Sequence, residues 1–385
     1  MTHLLSYRPG SIGNNVAFEA MALIYKHLQQ KYGYRFTIVK SSTDDYHDPS
    51  FRIISIPPKD WKAKFSGLLL SNFMGKRLTL DTLMKEADGV LTVDPTVYGQ
   101  GLNAIWKASL LKKPIWFDTS KTNLPSTQMI AWRLKRRFVL RGAIKKCAGI
   151  IATVPKCLER FQDLGLLDEN IASKFHFMGH PVDLTKFIPV SRQSQTDNIL
   201  RILVLSRLVP EKGLLYILEA LVPILKVQNN IQLQIIGSGV LRQLLEREVM
   251  EHDLAQQVIF LGQVSHQELP SILGKADIFV NHALSIASWE EYFGLANLEA
   301  MACELPCILT GSGGISYAIR EKDVALFVEE RNIVQLRQAI TNLLNSQAER
   351  VEMGRRARGY VKDYYNLPVI AEKYHQMIQR GLAQY

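Results

Sequence analysis

The chain has 385 residues, of which 47% are hydrophobic and 21% are charged. This composition excludes a disordered, collagenous or coiled-coil protein and predicts two or three globular domains. Residues 1–200 contain 28 basic and 16 acidic side chains, whereas residues 201–385 contain 18 and 20. The asymmetry indicates an anionic partner for the first half, such as a lipid surface, a nucleic acid or an acidic acceptor. The alternative is a basic surface that only aids solubility.

The opening segment MTHLLSYRPGSIGNN lacks the regions of a signal peptide, and the longest apolar stretch, about Phe65 to Met74, is too short to span a bilayer. The cysteines match no zinc-ligand spacing and are too few for a disulfide scaffold. We therefore expect reduced thiols in a cytoplasmic protein, with attachment to the inner face of the membrane left open. The cysteines are Cys147, Cys157, Cys303 and Cys307.

Short apolar runs alternate with helical patterns, which is typical of parallel sheets covered by helices. The predicted helices of the first half are Asn15–Gln30, Leu102–Lys112 and Pro125–Lys146. Its predicted strands are His3–Tyr7, Phe36–Val39, Ile53–Ile56, Gly89–Val93, Pro114–Phe117, Gly149–Thr153 and Phe175–Met178.

The polar stretch Val190–Asp197 interrupts this alternation, which then restarts. The strands predicted after it are Arg201–Leu205, Ile231–Ile236, Val258–Leu261, Asp277–Val280, Cys307–Leu309 and Ala325–Val328. The pattern at the end of the chain predicts helix throughout.

These patterns predict an N-terminal domain over residues 1–189, a linker over 190–200 and a C-terminal domain over 201–365. A final helix over 366–385 is expected to pack back toward the N-terminal domain. Open parallel sheets bind ligands beyond the carboxyl ends of their strands. Two such sheets facing each other would place the site in the cleft between them.

Arg207 and Lys212 lie in the loop SRLVPEKG, directly after the strand Arg201–Leu205. A guanidinium fork and an ammonium at the end of one strand can converge on an anion, and together they suit a diphosphate. A solvated turn with a proline and a terminating glycine explains the loop equally well.

The segment EYFGLANLE places Glu291 before a predicted helix and Glu299 two turns inside it. Carboxylates accept hydrogen bonds from sugar or ribose hydroxyls. Gly294 lets the backbone approach a ligand, and the free amides at the helix start attract phosphate. Turns at Gly237 and at Gly313-Gly314 also predict close approach of the backbone to a ligand, although a plain βα turn is the alternative for Gly237.

Four motifs follow one another in the second half of the chain: the Arg207/Lys212 loop, the Gly237 turn, the Glu291–Glu299 segment and the Gly313-Gly314 turn. In this order, they resemble the motifs of the retaining nucleotide-sugar glycosyltransferases of family 4, particularly members like the phosphatidylinositol mannosyltransferases. Arg207–Gly213 matches the family pattern R-x-x-x-x-K-G, and Glu291–Glu299 matches E-x-F-G-x-x-x-x-E at every fixed position. The resemblance implies an α/β protein of the GT-B fold, with two Rossmann-like domains facing each other across a cleft. The N-terminal domain would bind the acceptor and the C-terminal domain the nucleotide sugar.

The implied reaction moves a sugar from a UDP- or GDP-sugar to an acceptor hydroxyl with retention of configuration. The expected acceptor is a lipid or lipid-linked glycan at the cytoplasmic membrane face. A soluble acceptor and a non-catalytic sugar-nucleotide-binding protein remain alternatives.

The resemblance also implies roles for individual residues. Arg207 and Lys212 would neutralise the leaving diphosphate in place of a metal ion, so neither a metal nor another cofactor is expected. Glu291 would bind hydroxyls of the donor sugar, and Glu299 would bind the ribose. The other expected donor contacts are Gly13, Gly237, Gly294 and Leu295.

Asp118, in the run PIWFDTSK, stands where the similar mannosyltransferases have a histidine at the reaction centre. With a reference pKa of about 3.9, an aspartate is a weaker base, although it can still orient a hydroxyl. The alternative is a carboxylate that caps the turn after a strand. The predicted catalytic set is therefore Asp118, Arg207, Lys212 and Glu291.

Basic side chains recur at i, i+4 spacing through the predicted helix Pro125–Lys146, and they would form one stripe on an anionic membrane surface. No nucleic-acid-reading motif accompanies them, so a nucleic acid partner is not expected. The stripe consists of Arg133, Arg137, Arg141 and Lys145.

Overall fold

The computed structural model describes residues 1–8, 16–42, 46–56, 69–73, 76–122, 137–190 and 198–385. Contacts within the chain define two compact units. One comprises Met1–Pro181 together with Leu367–Tyr385, and the other comprises Val182–Asn366. Of the predicted linker over 190–200, residues 191–197 lie outside the described part of the chain.

The first unit is built on a seven-stranded sheet. Its strands are β1 (His3–Tyr7), β2 (Arg35–Ser41), β3 (Arg52–Ile56), β6 (Gly89–Val93), β7 (Ile115–Thr119), β8 (Gly149–Ala152) and β9 (Phe175–Phe177). They are all parallel, in the order β3-β2-β1-β6-β7-β8-β9. The helices of this part are α1 (Val16–Tyr32), α2 (Leu80–Glu86), α3 (Gly99–Leu110), α4 (residues 137–145), α5 (Lys156–Asp163) and α6 (Glu169–Ala172).

The second unit contains a six-stranded sheet. Its strands are β10 (Leu200–Leu205), β11 (Ile231–Ile236), β12 (Val258–Gly262), β13 (Ile278–Asn281), β14 (Cys307–Thr310) and β15 (Leu326–Val328). They too are parallel, in the order β12-β11-β10-β13-β14-β15. The helices are α7 (Leu214–Leu225), α8 (Arg242–Glu251), α9 (Leu269–Leu273), α10 (Leu295–Ala302), α11 (Ile315–Ala318), α12 (Ile333–Asn345) and α13 (Gln347–Tyr364).

Every strand predicted from the sequence is present in these two sheets. The sequence analysis missed an antiparallel pair, β4 (Leu69–Phe73) and β5 (Lys76–Thr79), and it also missed α2. The apolar run about Phe65 to Met74 suggested no particular element, because a short apolar run does not distinguish a strand from a buried helix.

The last helix, α14 (Leu367–Leu382), belongs to the first compact unit. The His375 ring stacks on Tyr32 of α1, with 3.9 Å between the ring centroids. The Tyr34 hydroxyl lies 2.9 Å from Nδ1 of His375 and accepts a hydrogen bond from Gln379. Because these contacts join α14 to α1 and to the start of β2, the end of the chain is part of the first unit's core. None of the described helices is both long and apolar enough to cross a membrane.

A buried ion pair fixes the carboxyl end of the first sheet. The side chains of Asp94, directly after β6, and Arg160 of α5 are 5% and 1% exposed, and their charged groups lie 2.7 Å apart. The Asp94 oxygen that contacts Arg160, Oδ2, also accepts a hydrogen bond from the Thr119 hydroxyl at 2.7 Å. The other oxygen, Oδ1, accepts hydrogen bonds from the amide and the hydroxyl of Thr96. Thr119 ends β7 beside Asp118, so this network holds the strand end that carries a predicted site residue.

We expect Asp94→Ala to lower the free energy of unfolding by about 3–5 kcal/mol, because the substitution leaves the Arg160 guanidinium buried without its counter-ion. Chemical denaturation followed by circular dichroism measures this loss. Asp163→Ala, at an exposed position of the same helix as Arg160, is the matched control. Equal stability of the two variants would contradict a structural role for the Asp94 pair.

Candidate functional site

Three loops meet at the carboxyl ends of β10, β13 and β14. In the second sheet, successive strands are added on one side from β10 through β11 to β12, and on the other side from β13 through β14 to β15. The direction in which strands are added therefore switches between the neighbours β10 and β13. Open α/β sheets bind ligands at such a switch point. The loop after β10 carries Arg207 and Lys212, and the loop after β13 carries Glu291.

Lys212 and Glu291 form an ion pair between these two loops. Their side chains are only 11% and 16% exposed. The ammonium also lies 4.6 Å from the centroid of the Trp289 ring, within the range of a cation–π contact. The structure therefore brings together two of the predicted catalytic residues, which lie 79 positions apart in the sequence.

Arg207 does not share this arrangement. Its side chain is 61% exposed, and its guanidinium lies 3.5 Å from the Glu211 carboxylate on the same loop. An exposed pair of this kind contributes little stability. The guanidinium is thus available to an anion that approaches the strand ends from solvent.

The glycine after Lys212 is required by the packing of these loops. Gly213 has φ +64°, and a Cβ at this position would lie 2.1 Å from the carbonyl oxygen of His282, directly after β13. Only a glycine combines this backbone angle with such close approach. The loop bearing Lys212 is therefore pressed against the start of the loop bearing Glu291.

The glycine-rich turn after β14 serves the same assembly. Gly313 has φ +55°, and a Cβ there would lie 2.2 Å from the carbonyl oxygen of Glu291. The amide of Gly314 donates to that same oxygen at 2.7 Å. This turn therefore packs against the backbone of Glu291, while its predicted close approach to a ligand stays a prediction.

Gly237 likewise contacts protein backbone. A Cβ at Gly237 would lie 1.9 Å from the carbonyl oxygen of Ser206, and one at Gly239 would lie 2.3 Å from that of Leu208. The amide of Leu208 donates to the carbonyl of Ser238 at 2.8 Å. The turn after β11 thus supports the loop that carries Arg207, while its predicted contact with a donor stays a prediction.

A network of side chains that the sequence analysis missed holds the backbone amide of Glu291. The Ser312 hydroxyl accepts from the amide of Glu291 at 3.4 Å and lies 3.1 Å from the Ser285 hydroxyl. The Glu330 carboxylate accepts from both the amide and the hydroxyl of Ser285, each at 2.7 Å. No spacing rule joins these three side chains, because they come from three different loops.

His282 is buried between the same loops. The amide of Arg331 donates to its Nε2 at 3.0 Å. Burial lowers the pKa of His282 to about 4, so the ring is neutral at pH 7 and can accept that hydrogen bond.

The helix α10 begins directly after Gly294, so Glu299 lies little more than one turn inside it and not two turns inside as the sequence predicted. Gly294 has φ +79°, the left-handed conformation, and Leu295 is the first helical residue. The first amides of a helix lack partners within the helix and favour an anion there. Inside the helix, Asn297 accepts a hydrogen bond from buried Asn281 at 2.7 Å, which ties α10 to the end of β13.

Glu299 is buried farther along α10. One of its oxygens, Oε1, lies 2.8 Å from Nε2 of His266, in the loop after β12. His266 is thus a partner of Glu299 that the sequence analysis missed.

In the first unit, Asp118 lies near the end of β7 and is 31% exposed. Its Oδ1 lies 2.9 Å from the guanidinium of Arg8, which directly follows β1 and is buried. Burial lowers the pKa of nearby His180 to about 4, and the charge of Asp118 acts in the opposite direction. Asp118 is thus an ion-paired carboxylate, and Arg8 is a further residue that the sequence analysis missed. Gly13 lies outside the described residues.

The predicted basic stripe is partly neutralised. Arg141 and Lys145 of α4 each lie 2.8 Å from the Asp168 carboxylate, and these contacts lower the pKa of Asp168 well below its usual range. Arg137 remains exposed beside the exposed ring of Phe138. Arg133 lies outside the described residues.

Comparison with known families identifies the second unit. Residues 188–360 match the family model described as glycosyl transferases group 1. The chain carries a glycosyltransferase group 1 domain. The match confirms the resemblance drawn from the motifs around Arg207 and Glu291, both of which lie within the glycosyltransferase domain.

Two curated relatives have informative names. The chain is 29% identical over 216 residues to a GDP-mannose-dependent monoacylated alpha-(1-6)-phosphatidylinositol monomannoside mannosyltransferase of Corynebacterium glutamicum, covering 53% of this chain and 56% of the relative. It is 30% identical over 171 residues to a GDP-mannose-dependent alpha-(1-6)-phosphatidylinositol monomannoside mannosyltransferase of Mycobacterium tuberculosis, covering 44% of each chain. The matched parts thus span about half the length of these relatives.

A solved structure matches over the whole chain. A glycosyltransferase from Rickettsia africae is 14% identical and superposes with a TM-score of 0.77, covering 100% of both chains. Together with the two parallel sheets, this likeness confirms the predicted GT-B fold of two Rossmann-like domains.

We expect Gly213→Ala to destabilise the glycosyltransferase domain far more than Gly262→Ala. Both glycines have positive φ, +64° and +72°, so each alanine incurs the left-handed penalty of about 1–2 kcal/mol. Only at Gly213 does the new Cβ also meet a backbone oxygen, because a Cβ at Gly262 has no neighbour within 4 Å. Thermal denaturation of the two variants compares them, and equal melting temperatures would contradict the close packing of the loops.

Proposed function

We propose that the protein is a glycosyltransferase that moves a sugar from a nucleotide-diphosphate sugar to an acceptor hydroxyl. The observation that carries this proposal is the Lys212–Glu291 ion pair at the switch point of the second sheet, beside the amino end of α10. A cation, a carboxylate and the amides at a helix start together offer partners for the diphosphate and the hydroxyls of one sugar nucleotide.

In the proposed reaction, the acceptor oxygen forms a bond to the anomeric carbon while the bond from that carbon to the phosphate oxygen breaks. The acceptor oxygen attacks the face of the anomeric carbon that the diphosphate leaves, so the proposed product keeps its configuration, and the hydroxyl proton passes to an oxygen of the departing diphosphate. Negative charge develops on the diphosphate, where Lys212 and exposed Arg207 stabilise it. Glu291, held by Gly314 and Ser312, accepts hydrogen bonds from the donor sugar.

Donor contacts at Gly237, Gly294, Leu295 and Glu299 complete the proposed site. Since the diphosphate charge is met by side-chain cations, the proposed reaction needs no metal ion. Asp118, paired with Arg8, acts by orienting the acceptor hydroxyl, because its carboxylate already accepts a charged hydrogen bond.

The proposed acceptor is a lipid or lipid-linked glycan at the cytoplasmic face of a membrane. Two observations support this: the basic surplus of residues 1–200, and the names of relatives that act on phosphatidylinositol lipids. Arg137 and the exposed Phe138 offer a charge and an apolar ring to such a surface.

We expect Lys212→Ala and Glu291→Gln each to lower kcat about 100-fold or more, because the first removes a cation that stabilises the departing diphosphate and the second removes the charge that holds the hydroxyls of the donor sugar. Release of nucleoside diphosphate is followed with a panel of UDP- and GDP-sugars, in the presence and absence of EDTA. Lys226→Ala and Glu246→Gln, at outlying positions of the same domain, are the matched controls.

The controls are expected to keep wild-type rates, and EDTA is expected to leave the rate unchanged. Failure of the wild-type protein to bind any sugar nucleotide would overturn the proposed function. A rate that EDTA abolishes would overturn only the metal-independent chemistry.

We expect the protein to sediment with vesicles containing phosphatidylinositol and phosphatidylserine but not with phosphatidylcholine alone. Arg137→Glu should weaken the binding several-fold, since one basic residue near an anionic surface contributes about 1 kcal/mol and the reversal adds repulsion. Lys226→Glu, in the other unit, is the control for charge alone. Failure to sediment with the anionic vesicles would favour the soluble-acceptor alternative, and equal binding to both vesicle types would contradict the role of the basic residues.

A further inference from the structure

The buried carboxylate of Glu299 pairs with the imidazole of His266. The Glu299 side chain is 6% exposed, whereas that of His266 is 33% exposed. Nε2–H of the imidazole donates to Oε1 of the carboxylate across 2.8 Å. A buried carboxylate needs hydrogen-bond donors, and this bond also fixes the orientation of its plane.

The loop that carries His266 is held rigidly. Ser265 and Glu268 form reciprocal hydrogen bonds, in the pattern of a capping box, in the turn directly before α9. The Glu268 carboxylate accepts from the Ser265 hydroxyl at 2.6 Å and from the Ser265 amide at 3.2 Å, while the Ser265 hydroxyl accepts from the Glu268 amide at 3.3 Å. His266 lies between Ser265 and Glu268 in the sequence, so these hydrogen bonds hold its backbone independently of the contacts of its side chain.

The imidazole ring is also supported from a second side. Phe187 is 2% exposed, and its ring centroid lies 5.5 Å from that of His266. Arg358 of α13 donates both to the carbonyl of Phe187, at 2.9 Å, and to the carbonyl of Ala302, at the end of α10. One guanidinium therefore anchors both the ring that packs on His266 and the helix that carries Glu299.

We propose that His266 is a positioning residue that sets the Glu299 carboxylate to accept hydrogen bonds from the hydroxyls of the donor's ribose. This inference rests on the proposed function, and it adds to that function a determinant of ribose recognition in the loop after β12. A carboxylate held by a fixed imidazole need not be ordered when the nucleotide binds, so its hydrogen bonds to the ribose are stronger.

The test compares nucleotides that differ only in the ribose hydroxyls. Dissociation constants for UDP, GDP and their 2′,3′-dideoxy analogues are measured by isothermal titration calorimetry. The variants are His266→Phe, which keeps a ring against Phe187 but removes the donor, and His266→Gln, which keeps an N–H donor. Gln267→Ala, at the exposed neighbouring position, is the matched control.

We expect wild-type protein to prefer the ribonucleotide over its dideoxy analogue by about tenfold or more, as for a hydrogen bond to a charged group. His266→Phe should abolish most of this preference by weakening only the ribonucleotide, while His266→Gln and Gln267→Ala should retain it. In a Glu299→Ala background, His266→Phe should have no further effect on the ratio.

A loss of affinity that is equal for both nucleotides, or a preference unchanged in His266→Phe, would overturn the inference and leave the proposed function intact. Binding of neither UDP nor GDP to the wild-type protein would overturn the inference together with the proposed function.

Discussion

Contacts between backbone atoms hold the candidate site together. Gly213 lies against the carbonyl of His282, and Gly313 lies against the carbonyl of Glu291. Neither contact leaves room for a side chain, so the loops after β10, β13 and β14 behave as one packed layer. The Lys212–Glu291 ion pair is possible because this layer fixes both ends of it. Without the glycines, the two charges would sit on separate flexible loops and would lose the geometry that a diphosphate sugar requires.

Hydrogen bonds between polar groups also stabilise this layer. The chain of contacts from Glu330 through Ser285 and Ser312 reaches the amide of Glu291. The contact between His266 and Glu299 ties α10 to the loop after β12. Each of these hydrogen bonds is made inside the domain, where competition from water is weak, so it contributes more to orientation than an exposed pair such as Arg207–Glu211. The site therefore combines rigid carboxylates with one exposed cation.

In the first unit, ion pairs likewise hold the carboxylates at the strand ends. The pair of Asp94 and Arg160 fixes the end of β7, and Arg8 holds the Asp118 carboxylate. A carboxylate bound to a guanidinium is suited to orient a hydroxyl rather than to remove its proton. This agrees with the proposed chemistry, in which the departing diphosphate accepts that proton.

The sequence by itself determined the strands of the two parallel sheets, the placement of Arg207, Lys212, Glu291 and Glu299 at strand ends or in the following helix, and the GT-B resemblance. These features follow from local periodicity, from glycine positions and from short motifs, which are all written in consecutive residues. Only the tertiary structure decided which partners these residues have: Glu291 for Lys212, His266 for Glu299 and Arg8 for Asp118. It also revealed that Gly237 and Gly313 pack against backbone. Such partners lie tens of positions apart, and the sheet order that brings them together is a property of the whole fold, not of any single segment.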